Sequence, residues 1–138
     1  SISMNLSGNI IGLHHVAIIS SHRERALHFY VNLLGFRIIA ETIRDDHSHK
    51  IDLVKTGVCT IELFIFAHAP HRTSYPEARG LRHLALDVSD IEVAVRQCKK
   101  AGIITEAIRT DAIDKKRFTF IFDPDNLPIE LCERSSSP

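Results

Sequence analysis

The sequence is short of cysteine, carries no excess charge of either sign and has no long apolar run; each shortage narrows what the chain can be. Its three cysteines, Cys59, Cys98 and Cys132, are too few and too irregularly spaced for a disulfide framework or a paired-cysteine zinc site, so a reducing cytoplasm is the expected compartment. Lysine plus arginine and aspartate plus glutamate balance at 17 each. That balance gives no reason to expect nucleic acid or an anionic membrane as partner, and points instead to a small neutral or acidic ligand. No apolar run approaches the roughly 18 residues of a membrane span, and the opening residues lack the basic start and apolar middle of a signal peptide. Ser1 to Ser3, ahead of Met4, read as a cloning remnant and Ser135 to Pro138 as a disordered tail, so both are left out of the fold.

What the sequence does have is a repeat. Displacing the chain by 68 residues lays "GLHHVAII" (Gly12 to Ile19) on "GLRHLAL" (Gly80 to Leu86), with Gly12 on Gly80, Leu13 on Leu81 and His15 on His83. It also lays Ser21 on Ser89 and Glu24 on Glu92. Each serine–glutamate pair has the spacing of a capping box, which predicts two helices starting at matching points. Ala26, Phe29, Tyr30, Leu33 and Leu34 recur at helical spacing in the first, and Ile91, Ala94, Val95, Cys98 and Ala101 in the second. Gly35 and Gly102, which can take the left-handed conformation, stand where these helices should end.

Three strand-like segments follow each glycine: "RIIAETIR", "KIDLVKT" and "CTIELFIFA" in the first half, "IITEAIRT", "RFTFIFD" and "PIELCE" in the second. The expected fold is therefore α+β, two tandem βαβββ modules whose mixed sheets curve around a shared cavity. With 138 residues, 44% of them hydrophobic, the chain has enough apolar material for one core. One domain is expected over residues 9–134, with module one at 9–67, a polar linker at 68–79 and module two at 80–134. A four-stranded sheet with one helix leaves its other face uncovered, so those faces should be buried against each other or against another chain.

Strand alternation then sorts the opening histidines. His15, Ala17 and Ile19 share one face, and His15 alone of the two histidines has a counterpart, His83. The same displacement carries Glu62 of "TIELF" to Glu130 of "PIELC". Each half thus places a histidine in its first strand and a glutamate in its last. A carboxylate within an apolar strand is costly to bury unless it is paired, protonated or bound to a cation. If a pseudo-twofold axis relates the halves, His15, Glu62, His83 and Glu130 converge as the ligands of one divalent metal ion. Imidazole suits zinc, nickel, iron and copper, and carboxylate also suits manganese and magnesium.

Other clusters carry less. "RDDHSHK" (Arg44 to Lys50) reads as a solvated loop, and His68 and His71 in the linker are left unassigned. Lys116 and Arg117 could meet an anionic substrate group at the rim or form a solvated basic turn. Cys132 shares a face with Glu130, and Phe64 and Phe66 share that of Glu62, as pocket lining or as ordinary packing.

From about Gly12 to Glu133 the chain resembles the vicinal oxygen chelate superfamily, built from paired βαβββ modules. "LHHVAII", "TIELF", "GLRHLAL" and "FDPDNLPIELCE" resemble the metal-bearing segments of glyoxalase I, with His15, Glu62, His83 and Glu130 on its four ligand positions. "EARGLRHLALDVSDI" and "KRFTFIFDPDNLPIEL" are similar in particular to the YaeR-type bacterial glyoxalase-like proteins. The resemblance implies a metal-dependent lyase or isomerase of the lactoylglutathione lyase type, acting on a small hydroxy-carbonyl compound through an enediolate. One zinc, nickel, manganese or iron ion would be held, with Glu130 as the base and Glu62 the other candidate. The superfamily also holds dioxygenases, epimerases, fosfomycin-resistance transferases and bleomycin-binding proteins, so dioxygenase or transferase chemistry and non-catalytic drug binding stand as alternatives. Glyoxalase I commonly has an arginine and an asparagine for glutathione where this chain has Ile19 and Phe66, so the resemblance does not extend to those glutathione contacts and leaves open whether glutathione or another thiol is used. The resemblance further implies a homodimer, with a site either within one chain or across two.

Overall fold

The computed structural model describes residues 4–134, and the remnant and tail expected at the two ends lie outside the described residues. Module one runs β1 (Val16–Ser20), α1 (Arg23–Leu27), β2 (Arg37–Ile43), β3 (His49–Lys55) and β4 (Cys59–Ile65), with α1 continuing as a π-helical stretch over His28–Leu33. Module two runs β5 (Leu84–Val88), α2 (Ile91–Lys100), β6 (Arg109–Thr110), β7 (Arg117–Phe122) and β8 (Pro128–Glu133). The sheets have the orders β1-β4-β3-β2 and β5-β8-β7-β6. In each, the first strand pairs in parallel with the last and the other pairings are antiparallel. This is the expected α+β pair of βαβββ modules. Among the described residues no helix is long and apolar enough to cross a membrane.

The helices begin one residue later than the serines suggest. His22 caps α1 by accepting from Arg25 N, and Asp90 caps α2 by accepting from Glu92 N and Val93 N. The capping boxes are thus not formed, because His22 and Asp90 take the capping position in place of the serines. Ser21 donates its backbone N–H and hydroxyl to Asp125 of the other module, and Glu92 turns to Arg117 at 3.5 Å. Gly35 and Gly102 do take left-handed φ values, +82° and +75°, at the helix ends. The expected strand over "IITEAIRT" shrinks to Arg109–Thr110. Upstream, Glu106 N donates to Phe120 O and Glu106 O accepts from the Thr119 hydroxyl, so a side chain takes the place of a ladder bond.

Alternation in the strands separates two faces. Ile18, Ile51, Leu53, Ile61 and Leu63 of module one and Ile121, Ile129 and Leu131 of module two point to the helix side. With Ala26, Phe29 and Tyr30 of α1 and Ile91 and Cys98 of α2 they form a single buried cluster, so the modules share one core built from their helix-side faces. A buried polar contact staples them. Tyr30 donates its hydroxyl to Asp123 Oδ2 at 2.7 Å, while Asp123 Oδ1 accepts from Asp125 N and Leu127 N in the turn before β8. Burial holds the Asp123 carboxyl above the ordinary carboxylate range and pushes the Tyr30 hydroxyl far up. Tyr30→Phe removes the donor and leaves a buried carboxyl oxygen unpaired, for an expected loss of about 1–3 kcal/mol. The readout is a lower urea midpoint at unchanged slope; an unchanged midpoint would show that the staple adds nothing to stability.

Candidate metal centre

The register places both glutamates alike. Glu62 on β4 lies between Ala17 of β1 and Asp52 of β3, and Glu130 on β8 between Ala85 of β5 and Phe120 of β7. Ala17 and Ala85 correspond in the repeat, and a methyl group beside each carboxylate leaves room for the histidine two residues upstream on the same face. His15 Nε2 comes within 3.4 Å of Glu62 Oε2, and His83 Nε2 within 3.0 Å of Glu130 Oε1. The histidines stand one residue ahead of β1 and β5, not inside them. All four side chains lie on the open face, opposite the helix, with side-chain exposures of 34% and 16% for the first pair and 26% and 20% for the second.

The surroundings of the pairs differ. Lys50 Nζ lies 3.4 Å from Glu62 Oε1 and 3.3 Å from Asp52 Oδ1, and the carboxylates, Asp52 foremost, raise its ammonium group above the ordinary lysine value. The contact to Asp52 is an ion pair without hydrogen-bond geometry, which leaves the buried Asp52 Oδ1 with acceptor capacity unused. Beside Glu130 the partner is neutral. Cys132 donates its thiol to Glu130 Oε2, and burial together with that bond pushes the thiol up to about 12, so it is no nucleophile near neutral pH. His14 finds a use as well: its Nδ1 lies 2.8 Å from His15 Nδ1, which turns the other nitrogen of His15 toward Glu62. In module two that position is Arg82, engaged with Glu77, and the His83 ring meets the edge of Phe120 instead.

Lys50 opens the expected strand "KIDLVKT", but sequence reasoning gave it no role at the site, having set "RDDHSHK" aside as a loop. The loop closes at Ser48, and His49 and Lys50 already belong to β3, where alternation puts Lys50 on the open face. Arg117 goes the other way. Its guanidinium binds both oxygens of Glu133, which also accepts from Ile91 N, so Arg117 clamps β7 and β8 to the start of α2 and is no rim cation for a substrate.

Two imidazole nitrogens and two carboxylates, each pair half buried, with an underused Asp52 oxygen beside one of them, are a donor set that suits a divalent transition ion. Among the described residues, however, no three of histidine, cysteine, aspartate and glutamate come together as a metal-holding group. Having packed through their helix sides, the modules leave each chain with two separate histidine–glutamate pairs.

A model of the Glyoxalase/Bleomycin resistance protein/Dioxygenase superfamily matches residues 12–131. The chain is 51% identical over 123 residues to the uncharacterised protein YwkD of Bacillus subtilis, covering 88% of this chain and 96% of that protein. It is 46% identical over 123 residues to the uncharacterised protein YaeR of Escherichia coli, covering 88% and 95%. The crystal structure of a glyoxalase family protein from Enterococcus faecalis superposes with a TM-score of 0.85 at 44% identity, covering 88% of this chain and 97% of that one.

Proposed function

The chain belongs to the Glyoxalase/Bleomycin resistance protein/Dioxygenase superfamily, and from that premise we propose that it is a metal-dependent lyase or isomerase that moves a proton on a small hydroxy-carbonyl compound. The observation that carries the reading is the repeated histidine–glutamate pair, 3.4 Å apart in one module and 3.0 Å in the other, on the open face of each sheet. The residues that would hold the ion are His15, Glu62, His83 and Glu130. Because the pairs do not meet within one chain, a homodimer would set the first pair of one copy against the second pair of its partner. Exposed Leu13 and Leu81, which correspond in the repeat and precede the two histidines, supply apolar surface for such a contact.

A bound zinc, nickel, manganese or iron ion would polarise the substrate's vicinal oxygens and stabilise the negative charge left by a departing C–H proton. Glu130 would take that proton and return it to the neighbouring carbon. Glu62 is tethered by the Lys50 ammonium, whereas Glu130 is held by a thiol, so Glu130 is the carboxylate freer to move. The open faces shield the reacting carbon with Phe64 on one side and Phe118 and Phe120 on the other.

Protein purified without chelator is expected to carry about one divalent ion per chain. Presented with methylglyoxal, with and without a thiol, in deuterated buffer, it should exchange the proton next to the carbonyl, and stripping the ion should stop the exchange. A metal-loaded protein that exchanges no such proton would sink the catalytic reading. Oxygen uptake would then mark a dioxygenase, and ligand retention without turnover a binding protein.

A further inference from the structure

Two arginines on the open faces lie within cation–π distance of aromatic pairs. In module one the Arg44 guanidinium carbon is 5.4 Å from the ring centre of Phe64 and 5.8 Å from that of Phe66. In module two Arg109 lies 5.0 Å from Phe118 and 5.8 Å from Phe120. Phe64 is two residues from Glu62 on the same strand face, and Phe120 lies directly across from Glu130. Duplication does not account for both platforms, because the displacement of 68 that superposes the metal ligands takes Arg44 to Ala112 and Phe64 to Cys132. The same device is built twice from unrelated positions.

Aromatic rings accept no conventional N–H hydrogen bond, so a guanidinium held beside them keeps N–H donors available, and a pair of those donors matches two oxygens of a carboxylate or phosphate. Other arginines are already engaged: Arg23 with Glu41, Arg82 with Glu77, Arg117 with Glu133 and Arg134 with Asp87. Arg44 has one long hydrogen bond, 3.5 Å to Ser48 Oγ, and the nearby Asp46 carboxylate is itself taken up by the Ser48 N–H and hydroxyl. Arg109 has one bond to Glu106 at 3.0 Å, an exposed pair of the kind that exchanges easily for a better acceptor.

We propose that Arg44 and Arg109 are the anion-binding residues of the site, so that the substrate carries a carboxylate or phosphate group in addition to its chelating oxygens. The assignment of these arginines to a substrate rests on the metal-site reading above; their binding of an oxyanion does not. Phe64 stands two strand residues, about 7 Å, from Glu62, so an oxyanion at Arg44 and vicinal oxygens near Glu62 can belong to one molecule. An anchor at that distance would hold the reacting C–H bond in place over the carboxylates.

The test titrates chelator-stripped protein with inorganic phosphate and with acetate, followed by ligand NMR line broadening. Wild type and the surface control Arg96→Gln should bind at least one probe equally. Arg44→Gln should bind it about tenfold more weakly, Arg44→Lys should recover only part of the loss, and Arg44→Gln/Arg109→Gln should lose it altogether. Phe64→Leu, which frees the guanidinium without removing it, should weaken binding in the same direction. Preference for phosphate or for acetate tells which oxyanion the substrate carries. Absence of binding by both probes, or a double variant that binds like wild type while keeping its circular dichroism spectrum, overturns the proposal. Since no metal is present in the titration, a metal site that proves false leaves this result standing, and the reverse also holds.

Discussion

Glu130→Gln is expected to slow α-proton exchange by about 10²–10⁴-fold, the range seen when a positioned general base is removed. The amide keeps an oxygen where the carboxylate oxygen faces His83 Nε2 at 3.0 Å, so metal content should change far less than rate. That split between a kept ion and a lost rate separates a base from a residue that only ligates. Glu62→Gln provides the contrast. There the Lys50 ammonium, 3.4 Å from Glu62 Oε1, loses a charged partner, so the expected harm falls on metal affinity and on the placement of Lys50. Equal rate losses in both variants, with metal retained in both, would remove the distinction between the two glutamates. A Glu130→Gln protein that exchanges the proton at the wild-type rate would remove the base assignment.

The second large effect is restoration by mixing. His15→Ala damages the module-one pair and His83→Ala the module-two pair, so each variant alone should lose its metal and its activity. If a site draws one pair from each subunit, unfolding and refolding the two together at equal concentration yields mixed dimers in about half the population. In a mixed dimer one site receives His83 from the first chain and His15 from the second and is whole, while the other lacks both. About a quarter of the wild-type activity and metal should return. A site confined to one chain would give no recovery at any ratio, because every chain in the mixture lacks one ligand. The experiment therefore reads the assembly and not the chemistry.

Much of the fold was legible because a repeat imposes its own test. The displacement that aligned His15 with His83 also aligned Glu62 with Glu130 and Ala17 with Ala85, and the strands came out with those residues on one face. Local chemistry alone placed the helix ends at Gly35 and Gly102 but erred at the helix starts. Ser21 and Ser89 had the spacing of capping residues, yet Ser21 is taken by Asp125, more than a hundred residues away, a competitor that only the packed modules create. "RDDHSHK" looked like loop from its polarity, but β3 starts one residue before the expected "KIDLVKT", at His49, because β4 lies alongside to pair with it. Lys50 stood in the expected strand, but its place beside Glu62 follows from the pairing of β3 with β4, which the sequence did not give a register for.

The amino-acid sequence by itself determined the paired modules, the period of two that puts the glutamates opposite the apolar residues, and the identity of the four candidate ligands. These are properties of the chain taken a few residues at a time, or compared with itself. Only the tertiary structure decided which sides of the modules meet. Both sheets carry isoleucine and leucine on the helix side and histidine and carboxylates on the other, and burying the first is favourable while burying the second without partners is costly. The modules therefore join through their helix sides, and the two histidine–glutamate pairs are left on open faces, unjoined within the chain.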